Sequence, residues 1–326
     1  MRRPRGSSIG SLVNNPATHH LSADPEHVVW GAFSSEFPPV IEIDPGDTIV
    51  VDTISGSPGQ FPDEAWDRLL PEHRRLIETR SQILPGHLMT GPIAVRGAVP
   101  GDAVRIHVLG VSLRQDWAWN MIMPLRGTLP DDFPDRHVRT IELDAEAMVA
   151  RMGWGAEIPL RPFFGVLGTS PPEAWGTISS IAPRAHGGNL DIKELVPGTS
   201  LLLPVFNPGA GLMVGDGHAV QGDGESCLSA AETALTGTFR VELVEGLGLS
   251  MPRAETPTHH ITIGIDEDLD DAARHAVRAM VSLVQDLTGI SPEDAYTLCS
   301  LAADVRISQL VNLNKGCHVM LPKSVL

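Results

Sequence analysis

Short apolar segments, separated by glycine and proline, run through most of the chain. Many of them are rich in β-branched residues and alternate apolar with polar positions, which is typical of strands with one buried face. The sequence has 32 glycines and 27 prolines, the residues that most often form tight turns between strands. The pattern predicts a mainly β protein.

Three segments repeat one design, which is a strand, a Pro-Gly turn and a second strand. They are IEIDPGDTIVVDT (41–53), IAVRGAVPGDAVRIHVLGV (93–111) and LDIKELVPGTSLLLPVF (190–206). Proline presets φ at the first corner of a turn and glycine accepts positive φ at the next, so each segment predicts a local hairpin. Three hairpins indicate a β-sandwich or barrel core rather than a parallel α/β sheet.

Helical patterns occupy two other parts of the chain. FPDEAWDRLLPEHRRLIETR (61–80) predicts one short helix and leaves a second one open, because Pro71 interrupts the pattern. In the C-terminal third, a strand at 259–266 precedes two helical segments at 268–289 and 291–312, and a last strand follows at 318–322. These elements predict a smaller C-terminal α+β unit in the order βααβ.

We therefore expect three parts along the chain. Residues 1–26 form a flexible leader, because their arginines are not followed by the apolar stretch of a signal peptide. Residues 27–245 form the β-sandwich core, with long Trp- and Pro-rich loops inserted at 113–180. Residues 246–326 form the βααβ unit, packed on the core.

Charge and composition narrow the class of partner. The net charge is −16 at pH 7. Nucleic acids and anionic membranes bind basic surfaces, so neither is expected as a partner. No apolar run approaches the roughly 20 residues that cross a bilayer. The three cysteines lack CxxC spacing, which argues against a disulfide framework and a thiolate zinc site. We expect a cytoplasmic protein that binds a small molecule and forms a dimer or higher homo-oligomer through amphipathic C-terminal helices.

Two short segments concentrate polar residues that could carry chemistry. MVGDGHAVQGDGE (213–225) holds two aspartates, a histidine, a glutamate and four glycines, and RAHGGNLDIKEL (184–195) holds a histidine, an asparagine and an aspartate. The two segments flank the third predicted strand pair, and the ends of a hairpin lie close together. We expect their side chains to meet in one pocket.

Imidazoles and carboxylates without sulfur ligands suit a divalent ion such as zinc, which lowers the pKa of its water towards roughly 7 and polarises a carbonyl. The predicted ligands are His186, Asp191, His218 and Asp52. A carboxylate among Asp223, Glu225 and Glu232 is expected to carry the proton to the leaving group. Ser226 and Ser229 lack a Gly-x-Ser-x-Gly elbow, so neither is expected to be a serine nucleophile.

The longest motifs resemble the acetamidase/formamidase family, which hydrolyses small aliphatic amides to a carboxylate and ammonia. They are HLMTGPIAVRGAVPGDAVRIHVLGV (87–111), HGGNLDIKELVPGTSLLLPVFNPGAGLMVGDGHAVQGDGE (186–225) and AAETALTGTFRVEL (230–243). The likeness covers most of residues 27–245 and is weaker beyond them. It implies a β-sandwich with a smaller α+β part and a site without a serine or cysteine nucleophile.

The resemblance also points to particular residues. The family's TGP element matches Thr90, with His87 just before it, and its GGN-D element matches Asn189 and Asp191. Its GD-H and QGDGE elements match Asp216, His218 and 221–225. The expected catalytic residues are Glu225, Glu232 and His87, and the expected substrate-binding residues are Asn189, Asp216 and Thr90.

The sequence leaves two alternatives open. A carbamate, urea or cyclic amide could replace the small linear amide as the substrate, since VDTISGSPGQ departs from the family's pattern and Trp-rich loops surround the motifs. A sandwich that binds a carbohydrate or another small ligand without catalysis is the second alternative.

Overall fold

The computed structural model describes residues 16–326. Its strands are, in chain order, β1 (Thr18–Leu21), β2 (Val28–Trp30), β3 (Ala32–Phe33), β4 (Ile41–Ile43), β5 (Thr48–Asp52), β6 (Leu88–Val95), β7 (Ala103–Leu113), β8 (Trp117–Ile122), β9 (His137–Asp144), β10 (Val149–Arg151), β11 (Glu157–Pro159), β12 (Phe163–Gly168), β13 (Ile178–Ser179), β14 (Gly187–Asn189), β15 (Ser200–Pro204), β16 (Leu212–His218), β17 (Leu235–Val244), β18 (Arg253–Glu255), β19 (His259–Asp266), β20 (Asp304–Gln309) and β21 (Lys315–Pro322). The α-helices are α1 (Pro71–Thr79), α2 (Leu269–Thr288) and α3 (Pro292–Ala302). Short 3₁₀ helices lie at Pro25–His27, Asp63–Arg68, Glu173–Trp175 and Lys323–Val325.

Two large sheets confirm the predicted mainly β fold. One has nine strands in the order β1-β5-β17-β7-β15-β18-β19-β21-β20, and the other has the order β14-β12-β16-β6-β2 with β4 also paired to β6. Their facing apolar side chains form the main core, which includes Ile106 and Phe239 from the first sheet and Phe164 and Val214 from the second. The molecule is therefore a β-sandwich.

The three Pro-Gly segments differ from the hairpins that the sequence predicts. The connections run from β4 to β5, from β6 to β7 and from β14 to β15, so each carries the chain from the six-stranded sheet to the nine-stranded sheet. The predicted first strand of the third segment is wrong, because β14 ends at Asn189 and no strand follows before Ser200. A strand, turn and strand pattern is the same for a hairpin and for a connection between two packed sheets. The turn residues locate the reversal but do not determine the pairing partner.

A four-stranded sheet, in the order β11-β10-β9-β8, comes from the long inserted segment. Its inner face contributes to a small apolar cluster that contains Ala118 and Ile141 together with Ala219 and Ala231 of the sandwich. Trp117 and Trp119 of β8 pack in a second cluster with Phe61. The Trp-rich insertion is therefore an ordered wall beside the end of β16.

The C-terminal unit matches its predicted order over β19 and α2. Asp268 accepts hydrogen bonds from the backbone of the first turn of α2, and Gly289 ends the helix with φ of 73°. The second predicted helix is wrong beyond α3, because 304–309 forms strand β20. Its apolar Val305 and Ile307 alternate with polar residues, a period of two that the preceding helical pattern conceals.

The observed strands can be compared with two of the predicted boundaries, the end of the leader and the end of the core. Residues 1–15 of the predicted leader lie outside the described residues, but 18–21 forms β1, which pairs with β5 in parallel. The nine-stranded sheet continues across residue 245, because β18 pairs with β15. Within 16–326, no helix is both long enough and apolar enough to span a membrane.

His73 of α1 forms a hydrogen bond with the backbone of the loop between β5 and α1. Its Nε2 donates a hydrogen bond to the Gly56 carbonyl at 2.7 Å, and the ring is buried. Burial lowers the pKa of His73 to about 4. The folded protein therefore holds this ring in its neutral form.

We expect His73 to make stability fall below neutral pH. The unfolded ring has a pKa of about 6.5, so its contribution is complete above that pH and is lost as the pH falls from about 6.5 towards 4, by up to about 3 kcal/mol. His73→Gln keeps an amide donor for Gly56 but does not titrate. Urea unfolding should show a shallower pH dependence for this variant than for the wild type, and equal slopes would contradict the prediction.

Candidate active site

The two polar segments converge at one end of the six-stranded sheet. Strand β12 pairs with β14 on one side and with β16 on the other. Asp191 follows β14 and His218 ends β16, so both residues border the same central strand. They do not meet as the ends of one hairpin, because β12, which comes earlier in the chain, lies between the two segments.

Gly165 in β12 makes room for the cluster. It lies opposite Asp216 in the register between β12 and β16. A Cβ atom at this position would stand 2.4 Å from Asp191 Oδ1 and 2.5 Å from Asp216 Oδ2. Glycine is therefore required for both carboxylates to approach the strand this closely.

Three of the acidic residues have left-handed backbone conformations. The φ angles are 50° for Asp191, 57° for Asp216 and 45° for Glu225. Non-glycine residues rarely adopt positive φ, and such strain is concentrated at functional sites where surrounding structure enforces it. Here each unusual turn directs a carboxylate inward, against the preference of a charged group for water.

His218 is the centre of the cluster. Its Nε2 atom lies 3.2 Å from Asp216 Oδ2, 3.3 Å from Glu232 Oε1 and 4.0 Å from Glu225 Oε1. Its Nδ1 atom lies 4.0 Å from Asp191 Oδ1. Glu232 is close because it pairs with His218 through an isolated antiparallel bridge.

Gln221 determines which nitrogen of His218 carries a proton. Its Nε2 donates to the carbonyls of Asp191 and Ser308 at 3.0 and 3.2 Å, so its Oε1 must face the other way, where it lies 2.9 Å from His218 Nδ1. An amide oxygen only accepts, so Nδ1 donates. In the neutral ring, Nε2 then presents its lone pair to the carboxylates, as metal-ligating histidines do.

The orientation of His218 Nε2 also favours a cation. Although two carboxylate oxygens lie within 3.3 Å, neither is aligned for a hydrogen bond with it. Asp191 Oδ1 likewise has no hydrogen-bond partner within residues 16–326. These atoms surround shared space, and two groups, Asp191-His218-Glu225 and Asp216-His218-Glu232, place their ligand atoms within 4.8 Å of one another.

Burial shifts the pKa of several carboxyl groups in the cluster. It raises the pKa of Asp191, raises that of Glu225 well above its usual value and raises that of Glu232 to about 7. For Asp216, burial is outweighed by the His87 and His218 rings, which hold its pKa well below the usual range. Burial removes the water that would stabilise several negative charges in one place. The neutral forms of Asp191, Glu225 and Glu232 are therefore favoured.

The His218 ring responds to the same charges. Burial disfavours its protonated form, but the Glu232 and Asp216 carboxylates outweigh burial and raise its pKa well above the ordinary value. A proton on this ring supplies positive charge when no other cation does. A metal ion bound here would replace that proton.

A cavity of about 40 Å³ adjoins the cluster. Its polar lining residues include His87, Asn189, Asp216, Glu225, Glu232 and Asn312, and its apolar lining residues are Ile54, Leu88, Trp119, Met121 and Leu228. His87 Nε2 lies 3.8 Å from Asp216 Oδ2. Asn189 Nδ2 donates to the Ile181 carbonyl at 3.2 Å, which leaves its Oδ1 without a partner in the described chain.

Three residues predicted for the site lie elsewhere. His186 is buried against Phe33, with ring centroids 4.8 Å apart, and belongs to neither ligand group. The Asp52 carboxylate accepts from Thr236 and faces Arg114. The hydroxyl of Thr90 donates to the backbone carbonyl of Asp52 and does not line the cavity.

A third group of acids and histidine, Glu194, Asp223 and His318, lies outside the cavity. Lys193 Nζ donates to Glu194 Oε1 at 2.8 Å and also to Asp223. The lysine ammonium already supplies the positive charge that these acids require. This group is a salt-bridge network, and it removes Asp223 from the predicted proton carriers.

Sequence reasoning missed two residues of the site and assigned no role to a third. Gly165 and Asn312 lie outside every motif, and Gln221 lies inside one. Asn312 follows β20, and its Nδ2 donates to Asp191 Oδ2. Because 303–312 is predicted as helix, the sequence gives no signal that this turn reaches the cluster.

A comparison with models of known protein families shows which family the chain belongs to. The model of the Acetamidase/Formamidase family matches residues 18–177 and 172–326. The chain belongs to this family. The resemblance of the sequence motifs is therefore confirmed and extends to the C-terminus.

Named relatives of this family member agree with the match. A formamidase from Methylophilus methylotrophus is 27% identical over 307 residues, covering 72% of this chain and 75% of the relative. The crystal structure of an acetamidase from Bacillus halodurans has a TM-score of 0.81 and 30% identity, covering 94% of this chain and 98% of the other. An acetamidase from Yersinia enterocolitica also has a TM-score of 0.81 and 30% identity, covering 96% and 94%.

The family member is therefore a hydrolase of carbon–nitrogen bonds other than peptide bonds. This class confirms the enzyme prediction and goes against the alternative of a sandwich that only binds a ligand.

The space that Gly165 leaves for the two carboxylates leads to a prediction for metal affinity. Gly165→Ala should lower affinity for Zn²⁺ by about tenfold or more, because the new methyl group displaces Asp191 Oδ1 and Asp216 Oδ2. Competition with a chromophoric chelator measures this affinity. Gly153→Ala is the matched control, since a Cβ atom there meets no heavy atom within 4 Å. Equal affinities of the two variants would show that the space at Gly165 is not needed for metal binding.

Proposed function

We propose that this enzyme hydrolyses a small linear amide, such as formamide or acetamide, to a carboxylate and ammonia with the help of a divalent metal ion. The supporting observation is the His218-centred cluster of buried carboxylates beside a small cavity. Formamidase and acetamidase relatives support the same substrate class. Zinc is the proposed ion. The cytoplasmic location and the homo-oligomeric state stay predictions.

The size of the cavity supports a substrate of a few atoms. A single water requires at least about 10–15 Å³ of such volume, so 40 Å³ holds roughly three water-sized groups. Formamide, with three non-hydrogen atoms, is of this size, and acetamide has one more. A ring such as a lactam requires the walls to move, so the cavity favours the small linear amide over a cyclic one.

The donor set fits a zinc ion. Zinc bonds of about 2.0–2.2 Å at tetrahedral angles separate the donor atoms by roughly 3.3–3.6 Å. The distances of 3.2 and 3.3 Å from His218 Nε2 to the Asp216 and Glu232 oxygens are close to this spacing. We assign these three residues as the ligands, in place of the four that the sequence predicts. Such an ion would polarise the amide carbonyl and acidify the hydrolytic water.

The remaining polar residues have roles that follow from their positions. Asn189 Oδ1, which lacks a partner in the described chain, accepts an N–H of the substrate amide. As the water oxygen adds to the carbonyl carbon, the water passes one proton to the Glu225 carboxylate. Glu225 passes this proton to the nitrogen as the carbon–nitrogen bond breaks, so that ammonia and the carboxylic acid leave. His87 lines the cavity beside Asp216, and its ring lowers the pKa of that carboxyl. Asn312 holds Asp191 through the other carboxylate oxygen.

Ammonia release tests the function directly. The purified enzyme should release ammonia from formamide or acetamide, and exhaustive chelation should abolish release until zinc is restored. Urea, a carbamate and a lactam are assayed alongside, because the sequence leaves them open. Release from none of these compounds would refute the enzyme's proposed function, whereas release unaffected by chelation would refute only the metal.

Two isosteric variants separate metal binding from proton transfer. Glu225→Gln should lower kcat by about 10²–10⁴-fold while leaving zinc affinity within a few-fold, because it removes the proton donor. Glu232→Gln should lower zinc affinity by at least about 100-fold, because it replaces a ligand. Chelator competition and ammonia assays measure the two effects. A reversed pattern would exchange the roles of the two glutamates.

A further inference from the structure

Leu228 lies on a tight turn between the catalytic cluster and the rest of the loop. Its backbone N–H donates to the Glu225 carbonyl at 3.1 Å, and the next residue, Ser229, is held by Asn120 through its hydroxyl and carbonyl oxygens. The turn therefore fixes Leu228 from both sides. Leu228 is one of the residues that line the cavity adjoining the cluster.

The backbone of Leu228 is in a conformation that suits glycine. Its φ is 113°, well within the region that branched side chains rarely adopt. Such strain persists where surrounding structure enforces it, and it is commonly associated with function. A glycine here would satisfy the turn without strain, so local folding does not account for leucine.

Packing does not account for the leucine side chain either. The other apolar residues of the cavity also belong to the apolar clusters of the fold, as Ile54 and Leu88 do in one and Trp119 and Met121 in another. Within residues 16–326, Leu228 belongs to none of these clusters. Leu228 therefore belongs to the lining of the cavity and not to the apolar core of the fold.

We propose that Leu228 is the specificity-determining residue that limits the length of the acyl group. The inference rests on the proposed amide hydrolysis, and it assigns one part of the substrate to the polar lining residues and the other part to Leu228. The amide group faces the carboxylates and the acyl carbon chain faces Leu228. The isobutyl group then excludes chains longer than that of acetamide, while Trp119 and Met121 form the fixed walls.

The test compares Leu228→Gly and Leu228→Ala with the wild type on acetamide, propionamide and butyramide. Each methylene that an apolar pocket accepts or rejects changes kcat/KM by about 10–200-fold. We expect the ratio of kcat/KM for butyramide to that for acetamide to rise at least about tenfold in both variants. Leu228→Gly should also melt at a temperature no lower than Leu228→Ala, because it relieves the strained φ.

Leu125→Gly is the matched control. Leu125 also has positive φ, 60°, but its side chain is 86% exposed and does not line the cavity. This variant should leave the butyramide to acetamide ratio unchanged. A similar rise in the control would show that loop relaxation, and not the cavity wall, determines the ratio, and would overturn the inference.

The possible failures are distinguishable. An unchanged ratio in folded Leu228 variants that still hydrolyse acetamide overturns the specificity role and leaves the proposed function intact. Loss of all hydrolysis in both folded variants also overturns it, since Leu228 would then support catalysis itself. Absence of ammonia release by the wild type from every amide overturns the proposed function and this inference with it.

Discussion

Four carboxylates buried around one imidazole are the arrangement on which the rest of this structure depends. A buried charge loses its hydration, so such a group is stable only when hydrogen bonds, protons or a cation compensate for it. Asp191, Asp216, Glu225 and Glu232 exceed what His218 alone can balance. The raised pKa of His218 and the raised pKa of Glu232, about 7, are two consequences of this imbalance. The divalent ion that we propose would be a third means of relieving it, and it would also contribute to catalysis.

The sandwich brings these acids together through its connections between sheets. Each Pro-Gly turn carries the chain from the six-stranded sheet to the nine-stranded sheet, so the two strands that the turn connects do not pair. Strands β14, β12 and β16 become neighbours although their order in the chain differs. The cluster therefore forms from long-range pairing, and a glycine in the central strand provides the space at the one place where two neighbours both present carboxylates.

Local chemistry explains which features could be predicted from the sequence. The strands, the turn at 44–47 and the caps of α2 depend on residues that are near in sequence. The polarity of 184–195 and 213–225 indicates a functional site from the sequence alone. Pairing partners and side-chain direction depend on contacts distant in sequence. Asp52 and His186 have the right chemistry, but Arg114 and Phe33 engage them elsewhere. Asn312 has no local signal, because its role depends only on where β20 ends.

The turn after β20 makes the C-terminal unit part of the site. Asn312 donates to Asp191, and the Ser308 carbonyl accepts from Gln221, which orients His218. The Ser308 carbonyl also accepts from the Gly224 backbone, next to Glu225. Both a carboxylate and the imidazole of the cluster are therefore positioned by residues from beyond 245. Because buried polar groups lose stability when a single partner is removed, the β20–β21 turn is needed to hold the acids in place, and the core strands alone do not complete the site.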